Sequence, residues 1–296
     1  MSPGVAVLGP GAVGGALAVR LANAGVRTIC VTHPEAAGII ALSGIVVETP
    51  SGTLTARLQA TEHLTTPVAL LLVAVKAPML AEALERVDPS VAEEGVVVPL
   101  LNGIEHMDVL RERFDGRVAA GTISHYQSYR VGRVQIVEST PSPVVTIASD
   151  TLPRGEVERV GDLLALGGID VRIGASEKRV LWHKLVRISA LAAATSASGR
   201  TVGELKADPD WRARLEHALL ETCAVAEAEG VPVGFAEQWK IVERMADETT
   251  TSAARDVAAG RRSELDAIVG SVLRAAERHE IACPALTDLA TTAGLL

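Results

Sequence analysis

The stretch GVAVLGPGAVGGALAVRLANAG, residues 4–25, decides the fold class. It opens with five apolar or glycyl residues, the pattern of a short strand buried on both faces. Gly9-Pro10-Gly11-Ala12-Val13-Gly14 then fits GxGxxG and opens a helical pattern. On its own the glycine motif is no more than a turn, but between strand and helix each glycine has a use. The first permits the tight turn, the second lets backbone approach a pyrophosphate, and the third lets the helix pack closely. The helix N-terminus meets the anion. Residues 9–14 are therefore read as a dinucleotide-binding loop.

Working outward, short β-rich runs alternate with helical patterns up to Gly174: GVAVLG, VRTICVTH, ALLLVAVK, GVVVPLLN and RVAAGTIS. Continuous apolar runs of this length predict a largely parallel sheet flanked by helices. VQIVE and PVVTIA, separated by a Pro-containing turn, read as an antiparallel extension. After Gly174 the β signal ends, and helical segments follow over 176–197, 209–229, 236–248 and 263–279, with a short last one. The expected fold is α/β: an N-terminal Rossmann-type dinucleotide-binding domain, residues 1–174, and an all-helical substrate-binding C-terminal domain, residues 175–296.

Composition narrows the function. Of 296 residues 48% are hydrophobic, yet only two Phe, two Tyr and three Trp are present. The interior must therefore be built from Ala, Val, Leu and Ile, which requires close helix packing. A net charge of -8 with no basic stripe argues against a nucleic-acid partner. Cys30, Cys223 and Cys283 are too few and too scattered for a disulfide framework or a thiolate metal site, so no metal is expected. Their odd number fits a reducing cytoplasm. MSPGVAVLGPGAVGG lacks the regions of a secretory signal, and no run reaches the ~18 apolar residues of a membrane span. The expectation is a soluble, cytoplasmic protein with no membrane partner.

The second strand should end near Thr32-His33-Pro34. An acidic residue there would bind the ribose hydroxyls of NAD, and a basic one would favour the phosphate of NADP. His33 meets the second requirement only when protonated, and Glu35 keeps NAD open.

Four further stretches, VAVKAP around Lys76, LLNGIE around Asn102, LWHKL around Lys184 and TSAARDVAAGRRSELDAIVG around Ser252, Asp256 and Glu264, line up with one family. Together with GPGAVGG the chain resembles the 2-dehydropantoate 2-reductase (ketopantoate reductase) family over nearly its whole length, in family order. The resemblance implies NADPH-dependent reduction of a 2-oxo acid, ketopantoate to pantoate in pantothenate biosynthesis, with NADH not excluded. It implies Lys184 as the catalytic acid and Glu264 as its partner, both touching the substrate. Ser252 would bind the substrate's carboxylate end. Lys76 and Asn102 would contact cofactor and substrate, beside the loop residues Gly9, Pro10, Gly11, Ala12, Val13 and Gly14 and the ribose-end residue His33. Asp256 is given to structure. The oligomeric state is left open, a homodimer included.

The residues support these roles independently. Lys76 and Asn102 follow apolar runs, so both would stand at the carboxyl ends of neighbouring parallel strands, where such sheets bind ligands. Asn102-Gly103 also reads as an ordinary turn, and Lys76 as a strand-end charge. Hydride transfer to a ketone leaves negative charge on oxygen, which an ammonium group can stabilise and then protonate. Lys184 stands among apolar residues, unlike a solvated helix lysine.

Two departures bear on specificity. The family places asparagines four and eight residues after the catalytic lysine; here those positions are Ile188 and Ala192. Residues 184, 188 and 192 share one helix face, so the stripe is apolar: either repacked core or a site for a different substrate. His33 stands where the family has arginine, which weakens the NADP preference. The alternatives are a reductase of a more apolar 2-oxo acid, or a dinucleotide-binding sensor without activity. Among the enzyme readings, related β-hydroxyacid dehydrogenases rank third, since their methionine-bearing glycine loop and the asparagine after the lysine are absent.

Overall fold

The strand Gly4–Leu8 is buried at every position because it is the middle of a five-stranded parallel sheet. In the computed structural model, which describes residues 4–140 and 142–296, the strand order is Gln59–Thr61, Thr28–Val31, Gly4–Leu8, Val68–Val73 and Val96–Pro99. The register sets Val5 against Thr28 on one side and Leu70 on the other. Successive strands add to one side of Gly4–Leu8 and then, from Val68, to the other. The order thus reverses at the carboxyl ends of Gly4–Leu8 and Val68–Val73, the switch point at which open α/β sheets bind ligands. There Gly9 N donates to Val31 O at 3.0 Å and Ala74 N to Leu8 O at 2.9 Å.

Two expected strand placements are corrected. RVAAGTIS joins the parallel sheet only through Val118, which bridges Val97 in parallel, and then departs from it. Ala120–Ser124 pairs antiparallel with Val144–Ala148, which also pairs parallel with Asp170–Ile173 in a separate three-stranded sheet. VQIVE and PVVTIA do not form one extension either. Gln135–Glu138 lies in a four-stranded sheet between Ile45–Thr49 and Ser128–Arg130, and Val144–Ala148 lies in the three-stranded one. An apolar run reports burial, whereas its partner is set by chain topology that the run does not encode.

The chain divides into two compact units. The first takes residues up to Leu101 together with His106–Val180, and the second takes Asn102–Glu105 with Leu181–Leu296. The division falls inside the helix Glu177–Ser198. Besides its longer helices the second unit holds two short ones, Val202–Ala207 and Ser252–Ala258. The first has a reciprocal cap between Thr201 and Glu204. In the second, Thr251 Oγ1 accepts from Ala254 N at 3.1 Å. The helical core is rich in small side chains, with Ala190, Ala193, Ala194, Ala218 and Ala226 all inaccessible to solvent. That is how a chain with few aromatics fills its interior. Among the described residues no helix is long and apolar enough to cross a membrane.

Candidate active site

The glycine loop shows which of its residues the fold itself requires. Gly9 has φ +85°, and a Cβ there would run into Val75; a Cβ on Gly14 would run into the Gly9 carbonyl and the Ala74 side chain. Gly11 is different. A Cβ added there meets nothing closer than Gly9 O at 4.0 Å, so its absence leaves open space that the protein does not fill. Gly11 is also the N-cap of the helix Ala12–Asn23, with no side-chain cap and no acidic residue in the first turn. The first N–H groups of that helix thus have no side-chain acceptor from its cap, which is the donor set an anion needs. Pro10 and Val13 complete the loop and are half-buried. These residues fit a pyrophosphate.

His33 caps the helix Pro34–Ser43 at the end of the second parallel strand, and its exposed ring has a partner that the sequence did not indicate. Arg86 Nη2 lies 2.8 Å from His33 Nδ1. A guanidinium only donates, so in this contact Nδ1 is the acceptor. Arg86 also meets Glu62 at 3.0 Å and Glu82 at 3.8 Å. Glu35 is engaged by Arg133 on the surface. Lys76 is exposed, three residues beyond Val68–Val73, and its carbonyl accepts from Met79 N at 2.8 Å.

In the second unit, the helix Glu177–Ser198 buries Trp182, Leu185 and Val186 in the core and leaves Lys184 half-buried. The Lys184 ammonium makes no hydrogen bond and no ion pair within 4 Å among the described residues. Burial pushes its pKa down to about 8; Glu264 opposes the shift and Arg187 adds to it. Glu264 is 8% exposed, and its Oε2 accepts from Asn102 Nδ2 at 3.1 Å. Three residues far apart in the chain therefore form one cluster: an enclosed ammonium, a buried carboxylate near enough to influence it, and an amide that holds the carboxylate.

Asn102 owes its place to Gly103. With φ +92°, Gly103 packs against the Ala267 carbonyl, where any side chain would collide. The Asn-Gly pair is a turn and a close approach at once. Ala267 lies in Asp266–Gly270, a π turn that leads into Ser271–Arg278. Such turns are rare and cluster at functional sites. Arg274 clamps the arrangement. Its Nε and Nη2 donate to Glu105 at 2.8 and 2.7 Å, and Nη1 donates to Asp266 at 2.8 Å. Sequence reasoning missed Arg274 and Glu105, which are 169 positions apart and share no local pattern.

Ser252 stands in the first turn of Ser252–Ala258, exposed, with no side-chain hydrogen bond among the described residues. Asp256 is buried and accepts from Arg261 Nε at 3.0 Å, closing the far end of the same helix. Ala192 is 1% exposed and belongs to the helical core, whereas Ile188 is only partly buried against it.

Residues 5–148 match the family model described as ketopantoate reductase PanE/ApbA, and residues 178–294 match that of its C-terminal domain. The 2-dehydropantoate 2-reductase of Caulobacter vibrioides is 30% identical over 294 residues, 95% of this chain and 94% of its own. A crystal structure of a PanE/ApbA family ketopantoate reductase from Ralstonia eutropha JMP134 matches with a TM-score of 0.88 at 27% identity, over 98% of this chain and 97% of that one. A ternary structure of D-mandelate dehydrogenase with NADH and anilino(oxo)acetate gives a TM-score of 0.89 at 18% identity, over 98% and 97%, a likeness of fold.

Proposed function

Because this chain belongs to the ketopantoate reductase family of NAD(P)H-dependent enzymes that reduce 2-oxo acids, we propose that its own substrate is a 2-oxo acid with a branched apolar tail, reduced with NADPH. The observation that carries the reaction is Lys184, an enclosed ammonium unpaired among the described residues, with its pKa near 8 and a buried carboxylate close by.

In this reading the ketone oxygen accepts a hydrogen bond from Lys184 Nζ. As negative charge develops on that oxygen, the ammonium stabilises it and then passes over its proton. With a pKa near 8, Lys184 is charged at neutral pH and still a stronger acid than a free lysine. Glu264 keeps the ammonium charged and orients it, and Asn102 keeps Glu264 in place. The dinucleotide, when bound, supplies the hydride that adds to the carbonyl carbon. Backbone N–H groups in the first turn of the helix, Ala12 to Gly14, hold its pyrophosphate. Lys76 and Ser252 stand as further ligand contacts. At the ribose end, Arg86 beside His33 offers a permanent positive charge to the phosphate of NADPH, shared with Glu62 and Glu82.

The tail assignment rests on Ile188, which puts hydrocarbon one helical turn beyond Lys184 on the same face. Ketopantoate is the second reading, favoured by the activity for which the Caulobacter relative is named. Oxidation of NADPH and NADH with 3-methyl-2-oxobutanoate and with ketopantoate tests both. The proposal expects turnover of both acids with the apolar one preferred. Absence of turnover with any 2-oxo acid would overturn it.

A further inference from the structure

Lys184 shares its helix side with a second cation. Arg187 follows at the i,i+3 spacing that sets side chains side by side on a helix, about 5–6 Å apart at Cβ. Nη1 donates to Oε1 of Gln238 at 2.6 Å, and Gln238 is only 2% exposed. Nε is buried and has no hydrogen-bond partner. Among the described residues no carboxylate lies within 4 Å of the guanidinium, so its positive charge has no counter-ion.

Arg187 is half-buried, and a charge even partly withdrawn from water is costly unless it is paired; a neutral amide does not pair it. If Arg187 served only to pack the helix, a leucine or methionine would do so without that cost. The local balance points the same way. Lys184 senses Glu264 as an opposing charge and Arg187 as a like one. Arg187 thus adds a positive charge beside Lys184 that its neutral partner Gln238 does not balance.

We infer that Arg187, held by Gln238, is the counter-charge to the substrate's carboxylate, while Lys184 takes the ketone oxygen on the adjacent carbon. This rests on the proposed role of Lys184. In a 2-oxo acid the two oxygen-bearing carbons are bonded to each other, so neighbouring cations on one helix suit it. Neutrality at position 238 matters: a carboxylate there would neutralise Arg187 and abolish the anion site. Arg187 is a binding residue in this scheme and transfers no proton.

The test compares 3-methyl-2-oxobutanoate with its uncharged primary amide. Both are titrated calorimetrically into the NADP⁺-loaded protein, where no reduction occurs, and both are assayed with NADPH. The parent should prefer the acid by about 30-fold or more, the scale of a buried charge pair. Arg187→Met should bring the ratio close to one, chiefly through KM. Gln238→Glu, which keeps the shape and supplies the missing counter-charge, should do the same with stability retained or raised, so the test survives misfolding of the methionine variant. Arg187→Lys should keep part of the preference. A packing role alone would leave the ratio unmoved. An acid-to-amide ratio unchanged in Gln238→Glu and in folded Arg187→Met, or near one in the parent, would overturn the assignment. Acid-selective binding without turnover would instead overturn the proposed reaction and leave the anion site standing.

Discussion

Asn102 donates through Nδ2 to Oε2 of Glu264 across 3.1 Å, joining residues 162 positions apart. The bond satisfies a buried carboxylate with a neutral donor. Asn102→Ala should cost about 1–3 kcal/mol in stability, because the carboxylate loses a partner it cannot replace with water. It should also lower kcat. Asn102→Asp should be worse, since it sets a like charge against Glu264. Denaturant midpoints and steady-state rates check both. A normal kcat with weakened dinucleotide binding would assign Asn102 to the cofactor instead.

The depressed pKa of Lys184 gives two opposite pH trends. As an acid the lysine must hold its proton, so kcat should fall as pH rises through about 8, well below the ordinary lysine value of 10.5. Stability moves the other way. Between 8 and 10.5 the unfolded chain binds more protons than the folded one, so this residue's contribution rises with pH across that window. Below pH 8 the cost of burying the charge is fully present, up to about 3 kcal/mol. Lys184→Met should therefore be more stable than the parent at pH 7, with the gap closing towards pH 10.5. Melting curves of both proteins at pH 7, 9 and 10.5 read this directly, and a constant gap would refute the shift.

What the sequence disclosed follows from the range of the interactions. Strand, glycine turn and helix are consecutive in residues 4–25, so their pattern is complete in one window. Glu264 was reached through motif resemblance, and Lys184 through the same resemblance together with its apolar surroundings in the sequence. The pairs His33 with Arg86, Glu105 with Arg274 and Asn102 with Glu264 lie 53, 169 and 162 positions apart, and no window contains them. The short helices Val202–Ala207 and Ser252–Ala258 fall below the length at which a helical period shows itself. Their caps, Thr201 and Thr251, were the available signals.

Gly11 and Gly14 should separate binding from folding. Open space faces Gly11, so Gly11→Ala should keep the parent's melting temperature and lose dinucleotide affinity by calorimetry. Gly14 has the Gly9 carbonyl and Ala74 in the way, so Gly14→Ala should melt earlier even without ligand. Unchanged affinity in Gly11→Ala would mean that the pyrophosphate is held elsewhere.

Cofactor choice should follow Arg86 and not His33. Arg86 brings a guanidinium to the end of the second strand, where it lies 2.8 Å from His33 Nδ1. The preference for NADPH over NADH should be modest, because Glu62 and Glu82 share the same guanidinium. It should vanish in Arg86→Ala and survive in His33→Ala. A preference that survives Arg86→Ala would place phosphate recognition on another residue.

The two apolar positions beyond Lys184 should behave differently. Ala192 is sealed in the helical core, so Ala192→Asn would bury an amide without partners and overfill its surroundings. That variant should lose stability and say nothing about the substrate. Ile188 is half-buried four residues after Lys184, where an asparagine could offer a substrate hydroxyl the hydrogen bond that isoleucine cannot. Such a bond is worth about 1 kcal/mol, more when it relieves a buried unpaired group. Ile188→Asn should therefore shift kcat/KM towards ketopantoate and away from 3-methyl-2-oxobutanoate, by about tenfold in the ratio. The parent should prefer the apolar acid. A strong ketopantoate preference in the parent, with no gain in Ile188→Asn, would mean that the hydroxyl is read elsewhere and that Ile188, like Ala192, is packing.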